Sequence, residues 1–301
     1  MMRMWYCVRR RMAAAMLLLS LGLVSVSARA QMDLSGQWGQ KMHEDEPERV
    51  GGPDIGDYSG LPVNDAARRK ADSWDAQKWE MVDHECEPHP ADYGPRGPGD
   101  IRIMPEIDHF TQRLLSWRTT LRFMLQRRAI YMDGRAHPSK NAAHTWQGFS
   151  TAEWEADMLK VTTTHLKEGW IRRNGIPRSE DALLTEYFIR HDNFLTLVSD
   201  VEDPAYMTEP LVRTSNWILA LGDRLLPNYC LPSIHVSHPK GWVAHWYPGE
   251  NKWLDEFAVK YEIPIEAVRG GAETMYPEYQ EKLAKMPRPK PAKPESAEKY
   301  K

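Results

Sequence analysis

His137, His144 and His165 stand close in sequence to Asp133, Glu155 and Asp157, in and just after the stretch from Arg128 to Thr164, as the densest group of titratable side chains near predicted strand ends. A histidine held beside a carboxylate at a barrel mouth can act as general acid or base, because its ordinary pKa of about 6.5 suits proton transfer near neutrality. Such chemistry fits a lyase, isomerase or hydratase, reactions that need proton movement and a dry pocket. His137, His144, His165 and Asp133 are therefore the catalytic candidates. The reading requires a histidine turned toward the interior beside a carboxylate; outward histidines count against it. Each residue also has a plainer use. Asp133 and Asp157 are turn formers, and His137 precedes Pro138 as a loop histidine that can cap a strand. Ser150 and Thr164 lack a nucleophile elbow. Glu155 and Asp157 would share one strand face only without an intervening turn, which disfavours a glycosidase pair.

Aromatic residues suggest a different chemistry. Eleven of the 12 tryptophans lie beyond residue 30, among them Trp117, Trp146, Trp154, Trp170 and Trp217 in or near strands. Most should fill a core, yet a barrel lined by tryptophan with a few polar groups also suits a small apolar or aromatic molecule. Tyr131, Trp117, Trp146 and Trp154 are the candidate walls of such a site. Arg135 is the candidate fork for a ligand carboxylate; Arg113, Arg118, Arg122, Arg172 and Arg173 are further cations of the same type.

The elements that must position these residues are mostly strands. From Ile101 to Leu219, β-branched and aromatic residues alternate with polar ones, most clearly at Leu159, Val161 and Thr163 against Lys160, Thr162 and Thr164. Strands are expected at 101–105, 109–117, 119–126, 128–133, 144–149, 151–156, 158–166, 183–191, 193–202 and 211–219. Turns are expected at Asp133-Gly134, Ala156-Asp157 and His191-Asp192-Asn193. About eight to ten strands in sequence favour a closed antiparallel barrel, because closure removes exposed edges. The expected fold is thus mainly β, a barrel over 101–222. An arm over 31–100 precedes it, with a strand-like entry at Asp33–Gly39, a loop over 44–60 and a helix or a pair of short helices over 61–86, capped by Asn64. An extension over 223–284 follows, with one further strand within 225–246 and short helices. No glycine-rich phosphate loop follows any strand, so no nucleotide cofactor is expected.

Residues 1–30 read as an export signal: Arg3, Arg9, Arg10 and Arg11 precede an apolar run from Met12 to Val26 that ends in Ala28-Arg29-Ala30. Cleavage after Ala30 would place the chain in the periplasm or outside the cell. The run is short for a permanent span, which needs about 20 residues, so no transmembrane segment is expected after cleavage. The arginine triplet also fits a twin-arginine route. Cleavage removes five arginines from 39 basic residues, leaving 34 against 42 acidic, a net of −8. Nucleic acid is an unsuitable partner for that charge. Residues 285–301, with repeated Lys-Pro units, cannot bury apolar surface and are expected to be a disordered tail.

Cys86 and Cys230 remain after cleavage, and in an oxidising compartment a disulfide between them is expected. By chain entropy a loop of that length stabilises by on the order of 4–5 kcal/mol. His84, Glu85 and His89 around the first cysteine, and His235, His238 and His245 after the second, leave zinc or copper as an alternative, although the spacing matches no strong metal signature.

Taken together, Ile130-Tyr131-Met132-Asp133-Gly134-Arg135-Ala136-His137-Pro138, Trp146-Gln147-Gly148-Phe149-Ser150 and Trp154-Glu155-Ala156-Asp157-Met158-Leu159 resemble a broad family of exported bacterial proteins without a settled activity. The likeness continues through Ser179-Glu180, Thr185-Glu186, Glu202-Asp203-Pro204-Ala205-Tyr206 and Tyr229-Cys230, covering about residues 100–231. It implies a lipocalin-like barrel and an exported location, and no catalytic residue. Ala152 and Ala156 stand where the family usually has glycine, and Met158 where it has threonine. The chain is expected to bind a small, largely apolar or aromatic ligand, with acid–base catalysis on the same scaffold as the alternative.

Overall fold

Nine strands close into a ring in which every strand has two hydrogen-bonded neighbours. The computed structural model describes residues 32–41, 54–81, 84–96, 99–226, 229–231 and 237–290. The expected leader, much of the 44–60 loop, His235 and most of the Lys/Pro tail lie outside the described residues. The ring strands are β1 (Gly36–Gln40), β2 (Ile101–Ile107), β3 (Leu114–Leu121), β4 (Arg127–Tyr131), β5 (Phe149–Glu155), β6 (Met158–Thr164), β9 (Leu183–His191), β10 (Phe194–Glu202) and β11 (Leu211–Leu219). Between β6 and β9, β7 (Gly169–Trp170) and β8 (Pro177–Arg178) make a separate two-stranded sheet. Around the ring the order is β1-β11-β10-β9-β6-β5-β4-β3-β2. The chain is mainly β, as its alternation predicts, and the segment before residue 100 contributes the closing strand: Trp38 pairs with Leu219 on one side and Ile101 on the other.

A ring of strands whose directions alternate closes only with an even number. Nine strands therefore leave one parallel pair, and it is β4 with β5, through Ile130 opposite Ser150 and Tyr131 opposite Thr151. Parallel neighbours need a crossover connection rather than a tight turn. Residues 132–148 supply it.

Inward side chains of one half of the ring form a core of Trp38, Ile101, Ile103, Trp117, Ile130, Leu159, Phe188, Leu197 and Trp217, with Trp154 packed against it. The other half packs against the arm in a second core that includes Tyr58, Val63, Ala67, Ala71, Leu184 and Val201. Asn64 caps helix α1 (Asp65–Asp72) by accepting the N–H of Ala67 at 3.0 Å, and Ala67 and Ala71 turn inward. Beyond the ring, α2 (Glu256–Tyr261), α3 (Ile265–Val268) and α4 (Pro277–Leu283) follow. Among the described residues no helix is long and apolar enough to cross a membrane. Cys86 and Cys230 form a disulfide across 144 residues with Cα atoms 5.5 Å apart, which ties the arm to the segment after β11.

Some boundaries differ from those expected. Residues 109–117 and 119–126 are one strand, β3, because Asp108 accepts the N–H groups of Phe110 and Thr111 and turns the chain at 108–112. Met124 and Leu125 adopt left-handed conformations that end β3 before β4. Residues 144–148 are a turn leading into β5. Among the described residues between 225 and 246 there is only a single bridge, His245 with Trp74, in place of the further strand.

The β5–β6 hairpin turns at Ala156, whose φ is +59°. That conformation costs an L residue about 1–2 kcal/mol, and glycine is free of it. Ala156→Gly should therefore stabilise by about 1 kcal/mol, raising the thermal midpoint by roughly 2–4 °C. A midpoint that falls would show that the turn is not strained.

Candidate functional site

Where β4 and β5 part beyond their two paired positions, the wall of the barrel opens into a cleft of about 580 Å³. Outward residues of β4, Arg127, Ala129 and Tyr131, form one side, and the 145–149 turn with Trp146, Gln147 and Phe149 forms the other. Gly148 makes the second wall possible: its φ is +63°, and a Cβ there would stand 2.6 Å from the Thr164 carbonyl oxygen. Only glycine lets the turn lie that close to β6. The two walls are held together from beneath by the His89 carbonyl, which accepts from Gln126 Nε2 at 2.8 Å and from Gln147 Nε2 at 2.9 Å. The neighbouring Ala91 N–H donates to the Trp146 carbonyl at 3.0 Å. The segment carrying His89 is anchored three residues earlier by the disulfide at Cys86.

At its base the cleft meets the barrel interior through Arg128 and Ser150. Arg128 is only 6% exposed and faces fully buried Glu186 at 2.5 Å. Its Nε donates to Ser150 Oγ at 2.9 Å and its Nη2 also donates to Thr163 Oγ1. These groups belong to a polar belt between the two cores: on β9 Glu186 lies between Leu184 and Phe188, and on β10 Ser199 lies between Val201 and Leu197. Among the described residues Arg118, Arg127 and Arg128 all line the cleft, and no carboxylate does. Arg118 is paired with Glu106 at 2.7 Å. Hydrogen bonds from Ser116 and Arg118 hold the Glu106 carboxyl below the usual range.

The three histidines do come together, on the outer face of β5 and β6. His137 bridges Thr164 Oγ1 at 2.7 Å and Thr151 Oγ1 at 2.8 Å through its two ring nitrogens. His165 Nδ1 lies 2.7 Å from the same Thr164 hydroxyl and its Nε2 2.9 Å from the Ser139 carbonyl oxygen. His144 Nδ1 meets the Leu166 carbonyl oxygen at 3.0 Å. The partners are hydroxyls and carbonyls, with no carboxylate among them. Burial first, and the neighbouring His165 second, hold His137 below the ordinary histidine pKa. The edge of its ring meets Phe149 of the cleft wall, with centroids 5.3 Å apart.

Asp133 pairs with Arg135, whose hydrogen bonds lower its pKa, and not with a histidine. Arg135 lies 3.7 Å over the Tyr131 ring at the edge of the cleft without lining it. Tyr131 and Trp146 line the cleft; Trp117 and Trp154 belong to the core, with indole N–H groups that are buried without a partner among the described residues. Glu155 pairs with Lys160, and Asp157 is exposed at the hairpin. Among the described residues no three histidine, cysteine, aspartate or glutamate side chains converge on a metal position. The disulfide removes both thiolates as ligands. Arg127, Arg128, Gln126, Gln147, Phe149 and Glu186 were not singled out by spacing. A charge at an inward strand position was the available signal: Arg128 precedes Ile130, and Glu186 precedes Phe188, in the same alternation. Comparison with family models, with curated proteins and with solved structures finds no match.

Removing one partner of a buried ion pair strands the other's charge and costs about 3–5 kcal/mol, whereas apolar replacement of both is near neutral. Glu186→Leu should therefore destabilise by about that amount, and Arg128→Met combined with it should recover most of the loss in denaturant titrations. A double variant as unstable as the single one would show that the pair is not what holds the belt.

Because the folded pKa of His137 is below its unfolded value, its neutral ring supports stability fully above about pH 6.5, and that support is lost as pH falls through the lowered folded value. His137→Asn should flatten the decline in stability between about pH 7.5 and 5. Parallel declines in both proteins would assign the effect elsewhere.

Proposed function

We propose that the protein is an exported binding protein that takes a small, largely aromatic molecule in the cleft between β4 and β5. The observation that carries this reading is a cleft of about 580 Å³ walled by Tyr131, Trp146 and Phe149, beside a barrel whose interior half is filled by tryptophan and aliphatic side chains. The volume lies within the range usual for small-molecule sites, about 300–1,000 Å³, and aromatic walls with a few polar groups are their common lining. Export is supported by the signal-like segment ahead of Gln31, by the family resemblance, and by a disulfide, which persists in oxidising compartments. Proton-transfer catalysis has less support: among the described residues the histidines contact hydroxyls and carbonyls on the outer face, with no carboxylate to orient them.

Titration of the purified protein with a panel of aromatic probes should quench tryptophan fluorescence. Trp146→Ala should weaken that binding by about tenfold or more, as loss of an aromatic wall implies. An unresponsive protein from which mass spectrometry releases no small molecule would end the reading.

A further inference from the structure

Arg127, Arg128 and Arg118 share the cleft wall with three aromatic rings, but their charges are not equivalent. Arg118 is neutralised by Glu106, and Arg128 by Glu186. Arg127 is exposed on the outer face of β4, and its guanidinium has no ion pair among the described residues. The cleft therefore carries close to one uncompensated positive charge. Arg128 adds directed donors: Nε and Nη2 are taken by Ser150, Thr163 and Glu186, and among the described residues no bond takes up Nη1. A buried, fixed guanidinium with an N–H to spare is a preorganised anion donor, since the surrounding bonds already hold its geometry.

We infer that the ligand of this cleft is an aromatic monoanion, with a carboxylate held by Arg127 and Arg128 and its ring between Tyr131, Trp146 and Phe149. This rests on the reading of the cleft as an aromatic site and specifies its ligand. The single uncompensated charge selects a carboxylate over a phosphate dianion, whose second charge would stand unpaired beside Glu186 and Glu106. Arg127 is the specificity residue because it alone brings charge without an internal partner. Its exposure also means that replacing it tests binding rather than folding.

Calorimetric titration with 2-naphthoate, 2-acetylnaphthalene and 2-naphthyl phosphate separates the two levels of the argument, because the first two probes share ring and size but differ in charge. The carboxylate should bind about tenfold or more tightly than the neutral ketone, the difference one charge-assisted contact supplies. Arg127→Gln should bring 2-naphthoate to the affinity of the ketone, and the advantage of the carboxylate should shrink with added salt. Equal affinity of the carboxylate and ketone for the unsubstituted protein overturns the anion assignment and leaves aromatic binding standing. Tighter binding of the phosphate than of the carboxylate overturns the monoanion assignment. Binding by none of the three overturns both readings.

Discussion

An odd number of strands in a closed ring forces one parallel seam, and the candidate site follows from that constraint. Eight of the nine junctions are antiparallel and extend over three to nine residue pairs; the β4–β5 junction has two. Hydrogen bonding along this seam ends at Ile130 and Ser150, so the wall opens at Arg128 and Gly148. The crossover that joins the parallel strands, residues 132–148, then has to travel outside the ring. It carries His137 and His144 to the outer face of β5 and β6 and sets Trp146 beside the gap.

An opening in a barrel wall exposes its interior, and here the interior at that level is polar. Leu184 and Phe188 on either side of Glu186, with Val201 and Leu197 on either side of Ser199, place the belt between two apolar cores. Arg128 and Glu186 are tolerable there only as a bonded pair, since an isolated buried charge is far costlier than the apolar residue it displaces. The same bonds that offset its burial fix the direction of the guanidinium. Stability of the belt and the shape of the cleft base are thus one feature, which also makes Arg128 a poor residue for probing binding alone.

The arm contributes at two places. Through Trp38 it closes the ring, and through His89 it spans the gap that closure leaves, with one carbonyl accepting from both Gln126 and Gln147. The disulfide at Cys86 anchors that strut covalently. Its position beneath the cleft makes it part of the scaffold of the site as well as a constraint on the unfolded chain.

Much of this was legible in the residues. Period-two alternation identified the long hairpins of β6, β9, β10 and β11, and Asn64 marked the start of α1, because these signals are local: they depend on which face a side chain takes and on which backbone group its neighbour satisfies. Tyr131 and Trp146 were candidates by type, and both line the cleft. Trp117 and Trp154 had the same chemistry, and only strand register separates them, since facing inward places them in the core. Asp133, chosen as a possible partner for histidine, pairs with Arg135 two residues away, the shorter reach. What composition and spacing determined is a mainly β, aromatic-rich chain expected to close as a barrel, with Cys86 and Cys230 as the expected disulfide and three histidines near strand ends. What only the tertiary structure decided is that nine strands close, that the parallel seam falls between β4 and β5, and that Arg128 meets Glu186 across 58 residues. Ring closure and its parity are properties of all the strands at once, and no local stretch contains them.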